Sequence, residues 1–373
     1  MFATGNDVVA LLEEIAPMDR AFTGDNSGLQ WGDLRWEVPA VLLALDFCEQ
    51  VLIEALEANA TFVFTHHPYL YRPFKKLDLR NRQDELVARA LKEDITLFSS
   101  HTNLDVAPKG VSHALGSLLG LKKMVPLYPL GEEELEKLVT FVPEDQADKV
   151  RDTVSEAGAG WIGNYSHCTY QLLGTGTFLP REGTSPYIGS EGRLETVTEY
   201  RLETIMPRKM RKAVLDALFL AHPYEEVAYD LYPLANRGEV WGLGTVGILE
   251  KKLSLGELAN LCLQKLQTPY LKVLGELQEE VEKIAVLGGS GGGYLESAVE
   301  VGAQAFITGD VGFHEAQKAK RSGLALLDAG HEATERPVLE LVAGQLQKAL
   351  FRKGLKTQVL LSGATTAPWQ IYE

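Results

Sequence analysis

Two adjacent histidines, His66 and His67, close the apolar run Ala60-Thr61-Phe62-Val63-Phe64-Thr65 and are followed at once by Pro68. A β-branched and aromatic run ended by proline reads as a buried strand that stops abruptly. Ligands of open α/β sheets bind at the carboxyl ends of strands, and imidazole is the commonest metal-binding side chain near neutral pH. A second group, His101 to Asp105, follows the apolar run Ile95–Phe98, and a third, His331 to Glu335, follows Leu324–Leu327. Three strand ends that each deliver histidine or carboxylate point to a metal centre.

The candidate ligands are His66, His67, Asp105, His331 and Glu335. Neighbouring side chains on a regular strand point to opposite faces, so His66 and His67 converge only if the backbone turns beyond the strand end. Pro68 holds His67 out of the helical region and keeps that turn open. His331 and Glu335 are four apart and share one face if a helix starts there, with Pro337 tolerated early in it. Asp105 offers an oxygen ligand, while His101 can either ligate or orient a ligand through its ring. Three nitrogens with up to four carboxylate oxygens suit zinc, iron, manganese or a similar divalent ion. Two ions would need a bridging carboxylate, Glu335 or Asp105, and would leave room for activated water. His101 and His314 are the candidates for moving protons; His314 could equally just begin a helix. His113, His167 and His222 read as local structure, with His167 on a strand. The run Gly288-Gly289-Ser290-Gly291-Gly292-Gly293 fits neither a dinucleotide fingerprint nor a P-loop. It reads either as a tight turn or as a helix start able to hold an anion.

These residues need strand ends to carry them. In the first part of the chain, strands at 41–46, 61–65 and 95–99 alternate with helices reaching about 59 and spanning 84–92. In the last part, strands at 284–287, 305–308 and 324–328 alternate with helices at 294–301 and 313–321. Alternation of this kind implies parallel sheet with right-handed crossovers. His101-x-x-x-Asp105 and His331-x-x-x-Glu335 are offset by 230 residues, and Phe62–His67 aligns with Ala305–Asp310. The expectation is an α/β fold of two pseudo-duplicated lobes, 1–130 and 239–373, that form one metal-binding unit. Between them, 131–238 reads strand 138–142, helix 146–157, strands 165–178 and 193–205, helix 208–221 and strand 226–232. The order βαββαβ is the ferredoxin-like pattern, here an α+β domain inserted at an exposed loop.

The chain has 373 residues, 45% of them hydrophobic, and a net charge of −15. That balance argues against phosphate-backbone binding and hence against a nucleic-acid partner. Three scattered cysteines with no Cys-x-x-Cys fit a reducing, cytoplasmic compartment. Met1 to Pro17 reads as a short amphipathic helix rather than a signal peptide, and no apolar run is long enough for a membrane span.

The chain resembles the Nif-three-like family, whose members are often labelled GTP cyclohydrolase I type 2 homologues. The stretches that carry the resemblance are Asp25-Asn26-Ser27-Gly28-Leu29-Gln30, Thr65-His66-His67-Pro68, Ser100-His101-Thr102-Asn103-Leu104-Asp105, Ile307-Thr308-Gly309-Asp310 and Asp328 to Glu335. The middle block resembles the PII/CutA-like insert of longer members, marked by Gly174-Thr175-Gly176-Thr177-Phe178 and Ala221-His222-Pro223-Tyr224-Glu225-Glu226. The resemblance implies two divalent ions per chain on His66, His67, Asp105, His331 and Glu335, and a ring-like homohexamer with the sites facing an inner cavity. The expected function is a metal-dependent hydrolase acting on a nucleotide or related phosphorylated compound. The alternative is a non-catalytic metal-handling or regulatory protein with a small-molecule-sensing insert.

Overall fold

The computed structural model describes residues 1–72 and 76–369. The chain divides into two compact units, one built from Met1–Leu130 with Trp241–Glu373 and the other from Gly131–Val240.

The first unit is built on two large sheets, beside a two-stranded antiparallel pair of Ala3–Thr4 and Glu37–Val38. One has five strands in the order Gln358–Leu361, Ala40–Ala44, Phe62–Thr65, Thr96–Ser99 and Gly28–Trp31. The first four are parallel, and Gly28–Trp31 runs antiparallel along Thr96–Ser99. Every residue of Ala40–Ala44 and of Phe62–Thr65 is buried, as a parallel strand covered on both faces requires. Val41, Leu43, Phe62 and Phe64 pack one face against Leu11 and against Val338, Val342 and Leu346. Leu42 and Val63 pack the other face against Val51, Leu52, Val87 and Ala90.

The second sheet has six strands, in the order Lys272–Leu274, Ala325–Asp328, Ala305–Gly309, Glu280–Ser290, Val240–Ser254 and Lys122–Glu132. Glu280–Ser290, Ala305–Gly309 and Ala325–Asp328 are mutually parallel, and Lys272–Leu274 is antiparallel to Ala325–Asp328. Helix Pro337–Arg352 and strand Gln358–Leu361 pack on the first sheet, so the segment 239–373 contributes to both. The expected N-terminal helix is Gly5–Ile15, closed by a capping box between Thr4 and Asp7.

The glycine run, expected as a tight turn or an anion-holding helix start, is part strand and part turn. Strand Glu280–Ser290 carries Gly288 and Gly289 within it, and only a single 3₁₀ turn, Gly292–Tyr294, precedes the six-residue helix Leu295–Glu300. The Gly289 N–H donates to Thr334 Oγ1 and the Gly291 N–H to Thr308 Oγ1, each at 2.9 Å. Those amides are committed to side chains, which removes them from anion binding.

The second unit runs strand Leu135–Pro143, helix Ala147–Glu156, strands Thr169–Phe178 and Glu195–Pro207, helix Arg211–Ala221 and strand Tyr229–Pro233. Its antiparallel sheet has the order Tyr229–Pro233, Leu135–Pro143, Glu195–Pro207, Thr169–Phe178. Val150, Val154, Val214 and Leu218 of the two helices cover one sheet face through Leu138, Val142 and Met206. The strand expected from 165 begins at Thr169. Ile162 and Tyr165 exchange backbone hydrogen bonds in a tight loop, and His167 has a φ of 58°, so neither can enter the ladder. Among the described residues no helix is long and apolar enough to cross a membrane.

Candidate metal centre

His66 and His67 leave strand Phe62–Thr65 still tied to the neighbouring chain segment, their backbone N–H groups donating to the carbonyls of Ala44 and Leu45. Past the strand end the two rings converge, with centroids 4.9 Å apart. His101 precedes the one-turn helix Thr102–Asp105, and its ring lies 5.4 Å from that of His66 and 5.7 Å from that of His67. His331 opens helix His331–Glu335, with its ring 5.4 Å from that of His67. Ligand atoms of His66, His67 and His101 all lie within 4.8 Å of one another, and so do those of His67, His331 and Glu335.

The orientation of the four rings follows one rule. His66 Nδ1 lies 2.9 Å from the Ser100 carbonyl, His67 Nδ1 2.9 Å from Asp46, His101 Nδ1 2.8 Å from Asp25, and His331 Nδ1 2.7 Å from Asp310. Each acceptor requires a proton on Nδ1, which leaves Nε2 as the atom available to a ligand. This is the outer-sphere arrangement that fixes tautomer and aim in metal-binding histidines. At the centre, Glu335 is 4% exposed. Its Oε2 lies 3.1 Å from His67 Nε2, and its Oε1 lies 3.1 Å from His331 Nε2 and 3.7 Å from His66 Nε2. Asp105 Oδ1 lies 3.5 Å from His66 Nε2.

The electrostatics report the same crowding. Burial lowers the His67 pKa, but Asp46 and Glu335 outweigh it and raise the ring to about 10. The hydrogen bond to Glu335 raises His331 to about 9 against burial, with Asp310 adding to the effect. Burial pushes the Glu335 carboxyl up, yet the surrounding imidazoles hold it well below its usual range. Asp105 is raised, by burial first and by Glu335. Asp25 is buried too, but donors on His101, Thr102 and Ser27 hold it at about 2.

Two atoms test whether a cation fits. His66 Nε2 and Glu335 Oε2 are buried without a hydrogen-bond partner, a costly state unless something else satisfies them. An imidazole nitrogen and an ionised carboxylate oxygen, both aimed into a nest of further nitrogens and oxygens, match a first-row divalent cation. The backbone makes room for this approach. A Cβ on Gly289, whose φ is +70°, would lie 2.3 Å from Glu335 Oε1, and one on Gly309 would lie 2.7 Å from the backbone of Gly330 and His331.

His314 sits apart from this cluster. It is the second residue of helix Phe313–Arg321, exposed, with its ring edge-on to Phe313. His113 interacts with Ser117, while His222 bonds the Phe141 carbonyl and accepts from the Tyr224 amide, a local structural role. Asp46 has no place in the sequence reading of the site, and Asp25, Ser100 and Asp310 enter it only as parts of motifs. The C-terminal segment also reaches the site: the Thr366 hydroxyl donates to the Asp46 carboxylate that holds His67.

Comparison with known proteins agrees with the resemblance read from the motifs. The model of the family Duf34/NIF3 (NGG1p interacting factor 3) matches residues 3–368. A protein of Halalkalibacterium halodurans named GTP cyclohydrolase 1 type 2 homolog is 41% identical over 367 residues, covering 98% of each chain. Its namesake in Bacillus subtilis is 38% identical over 365 residues, again covering 98% of each. The crystal structure of a Bacillus cereus protein related to NIF3 superposes with a TM-score of 0.91 at 40% identity, over 100% of both chains.

Proposed function

The chain belongs to the Duf34/NIF3 family, and we propose that it holds two divalent metal ions and hydrolyses a nucleotide or related phosphorylated compound. The observation that carries the metal reading is the common aim of the His66, His67 and His331 Nε2 atoms at the buried Glu335 carboxylate, with His66 Nε2 and Glu335 Oε2 lacking a hydrogen-bond partner. His66, His67, Asp105, His331 and Glu335 would hold the ions, with Glu335 reaching both histidine groups. Divalent ions there supply Lewis-acid polarisation and activate water near neutral pH. The hydrolase reading is supported by the name of the relatives, GTP cyclohydrolase 1 type 2 homolog.

The protein's own groups do the rest. Asp46, Asp310 and the Ser100 carbonyl lock the tautomers, so Nε2 stays free of a proton when a cation competes for it. His101, held by Asp25 through Nδ1, presents its remaining nitrogen beside the cluster and is the side chain we assign to proton movement at the substrate. The exposed position of His314 supports at most a contact with a bound substrate.

The same reading includes the architecture. Each half of the first unit contributes an antiparallel strand followed in sequence by three parallel strands: Gly28–Trp31 with Ala40–Ala44, Phe62–Thr65 and Thr96–Ser99, and Lys272–Leu274 with Glu280–Ser290, Ala305–Gly309 and Ala325–Asp328. In both halves the antiparallel strand lies along the last of the three. This supports duplicated lobes, and the βαββαβ order of Gly131–Val240 supports a ferredoxin-like insert. The ring-like homohexamer belongs to this proposal as well, and native mass measurement of six chains per particle would test it.

The test of activity is GTP turnover by metal-reconstituted protein, with product chromatography and formate detection, against a Glu335→Ala control. Turnover lost in the control supports a metal-dependent nucleotide hydrolase. No turnover of GTP or of a nucleotide panel by protein with both ions bound would overturn the hydrolase reading in favour of metal handling.

A further inference from the structure

Two motifs of the Gly131–Val240 unit have no part in the metal centre: Gly174-Thr175-Gly176-Thr177-Phe178 and Tyr224-Glu225-Glu226. They are 46 or more residues apart in sequence, yet both line one cavity of about 670 Å³. That volume is within the range of small-molecule sites. The sheet face lacking helices forms its floor, through Phe141, Glu199 and Arg201. The turn-rich loop after Phe178 forms its roof, through Pro186 and Tyr187. The loop is pinned there, since the Ser185 amide donates to the Glu225 carboxylate at 2.9 Å.

The polar feature of this cavity is one carboxylate. Glu199 is 7% exposed and lines the cavity. Its Oε1 accepts the Tyr224 hydroxyl at 2.7 Å. Among the described residues, Glu199 has no cationic partner within 4.0 Å, and its Oε2 accepts no hydrogen bond. A Cβ on Gly176 would lie 2.1 Å from that oxygen, so glycine at this position is what leaves Oε2 room. Arg201, the nearest cation on the same strand, is committed to Glu203 at 2.8 Å. Around the carboxylate, Tyr224 meets the rings of Phe178 and Tyr187 at 6.0 and 6.2 Å. A carboxylate with no cation within 4.0 Å, walled by aromatic rings, selects for a flat ligand that donates N–H groups from one edge.

We propose that this cavity is a binding site for a planar nitrogen compound with two adjacent N–H donors, the edge shared by guanine and by aryl amidines, with Glu199 as its acceptor. Tyr224 is held protonated by burial and by the adjoining carboxylate, so it donates to one lone pair of Oε1 and leaves the other, with Oε2, to the ligand. Adenine presents a ring acceptor beside its amino group, and that lone pair would face the carboxylate and be repelled.

Saturation-transfer NMR and calorimetry on the full chain, with guanosine, benzamidine and adenosine as probes, test the site. Guanosine or benzamidine binds and adenosine does not, and which of the first two binds more tightly identifies the source of the edge. Glu199→Gln keeps an acceptor for Tyr224 but loses the charge, and it weakens the binding about tenfold or more. Tyr187→Ala, in the exposed loop, gives an independent loss without touching the core. Glu335→Ala leaves probe binding unchanged, which separates this site from the metal centre and its proposed chemistry. No binding of either donor probe, equal binding of adenosine, indifference to Glu199→Gln, or loss in Glu335→Ala would each overturn the assignment.

Discussion

Glu335 and His331 stand one helical turn apart and meet through Oε1 and Nε2 at 3.1 Å, while the second oxygen of the same carboxylate lies 3.1 Å from His67 on the other sheet. One side chain thus joins the strand ends of both halves of the unit. Its removal should cost more than one ligand. Glu335→Ala is expected to bring metal content from about two ions per chain to one or fewer, with the circular dichroism spectrum retained. Elemental analysis after reconstitution and desalting checks this, and unchanged content would remove Glu335 from the ligand set.

The residues that aim the rings should matter nearly as much. Asp46→Asn and Asp310→Asn keep shape but remove the charge that holds Nδ1–H of His67 and His331. Losing such outer contacts typically lowers metal affinity about 10–100-fold. Chelator competition would show this loss in each variant, with the circular dichroism spectrum retained, because Asp46 and Asp310 are partly solvent-exposed.

The strand-end histidines were legible in the sequence because an apolar run cut off by Pro68 marks where a buried strand stops. The pair His331 and Glu335 was legible because a spacing of four is one helical face. The carboxylates that orient the rings were not. Asp46 lies 21 residues from His67, Asp25 lies 76 from His101, and Asp310 lies 21 from His331, and a lone aspartate carries no local pattern. The Ser100 carbonyl is backbone and has no side-chain signature at all. Helix Pro337–Arg352 shows a similar gap: its periodicity says which face is apolar, but not that this face packs on the first sheet. His314 shows the converse: its residue type makes it a candidate for moving protons, yet it starts a helix and is exposed.

Metal loading should release protons. In the metal-free protein His67 and His331 titrate near 10 and 9 because each ring bridges two carboxylates, so both are charged at pH 7.5. A cation needs the neutral ring. Calorimetric titrations in buffers of different ionisation enthalpy should reveal proton release, and affinity should rise with pH. The stability of the metal-free form should move the other way. Raised folded pKa values contribute stability that is complete below the unfolded value near 6.5 and is lost as pH climbs through 9 to 10. Melting of metal-free protein should therefore fall across that window, and a flat profile would contradict the ion-pair geometry.

Three glycine-to-alanine changes should part according to what a methyl group meets. At Gly309 it meets the fixed backbone of Gly330 and His331 at 2.7 Å, and neither the strand nor the helix start can yield, so a loss of about 1–3 kcal/mol is expected. At Gly289 it meets the Glu335 carboxylate at 2.3 Å with φ at +70°, so stability falls and metal affinity falls with it. At Gly344, exposed within helix Pro337–Arg352, nothing lies within 4 Å. There the gain in helix propensity should stabilise by about 0.5–1 kcal/mol. Denaturant melts of the three variants beside metal analysis give the comparison. Of the three, Gly289→Ala and Gly309→Ala should disturb the metal centre, because there the missing side chain leaves room for Glu335 and for the start of helix His331–Glu335. Equal metal loss in Gly344→Ala would break that link.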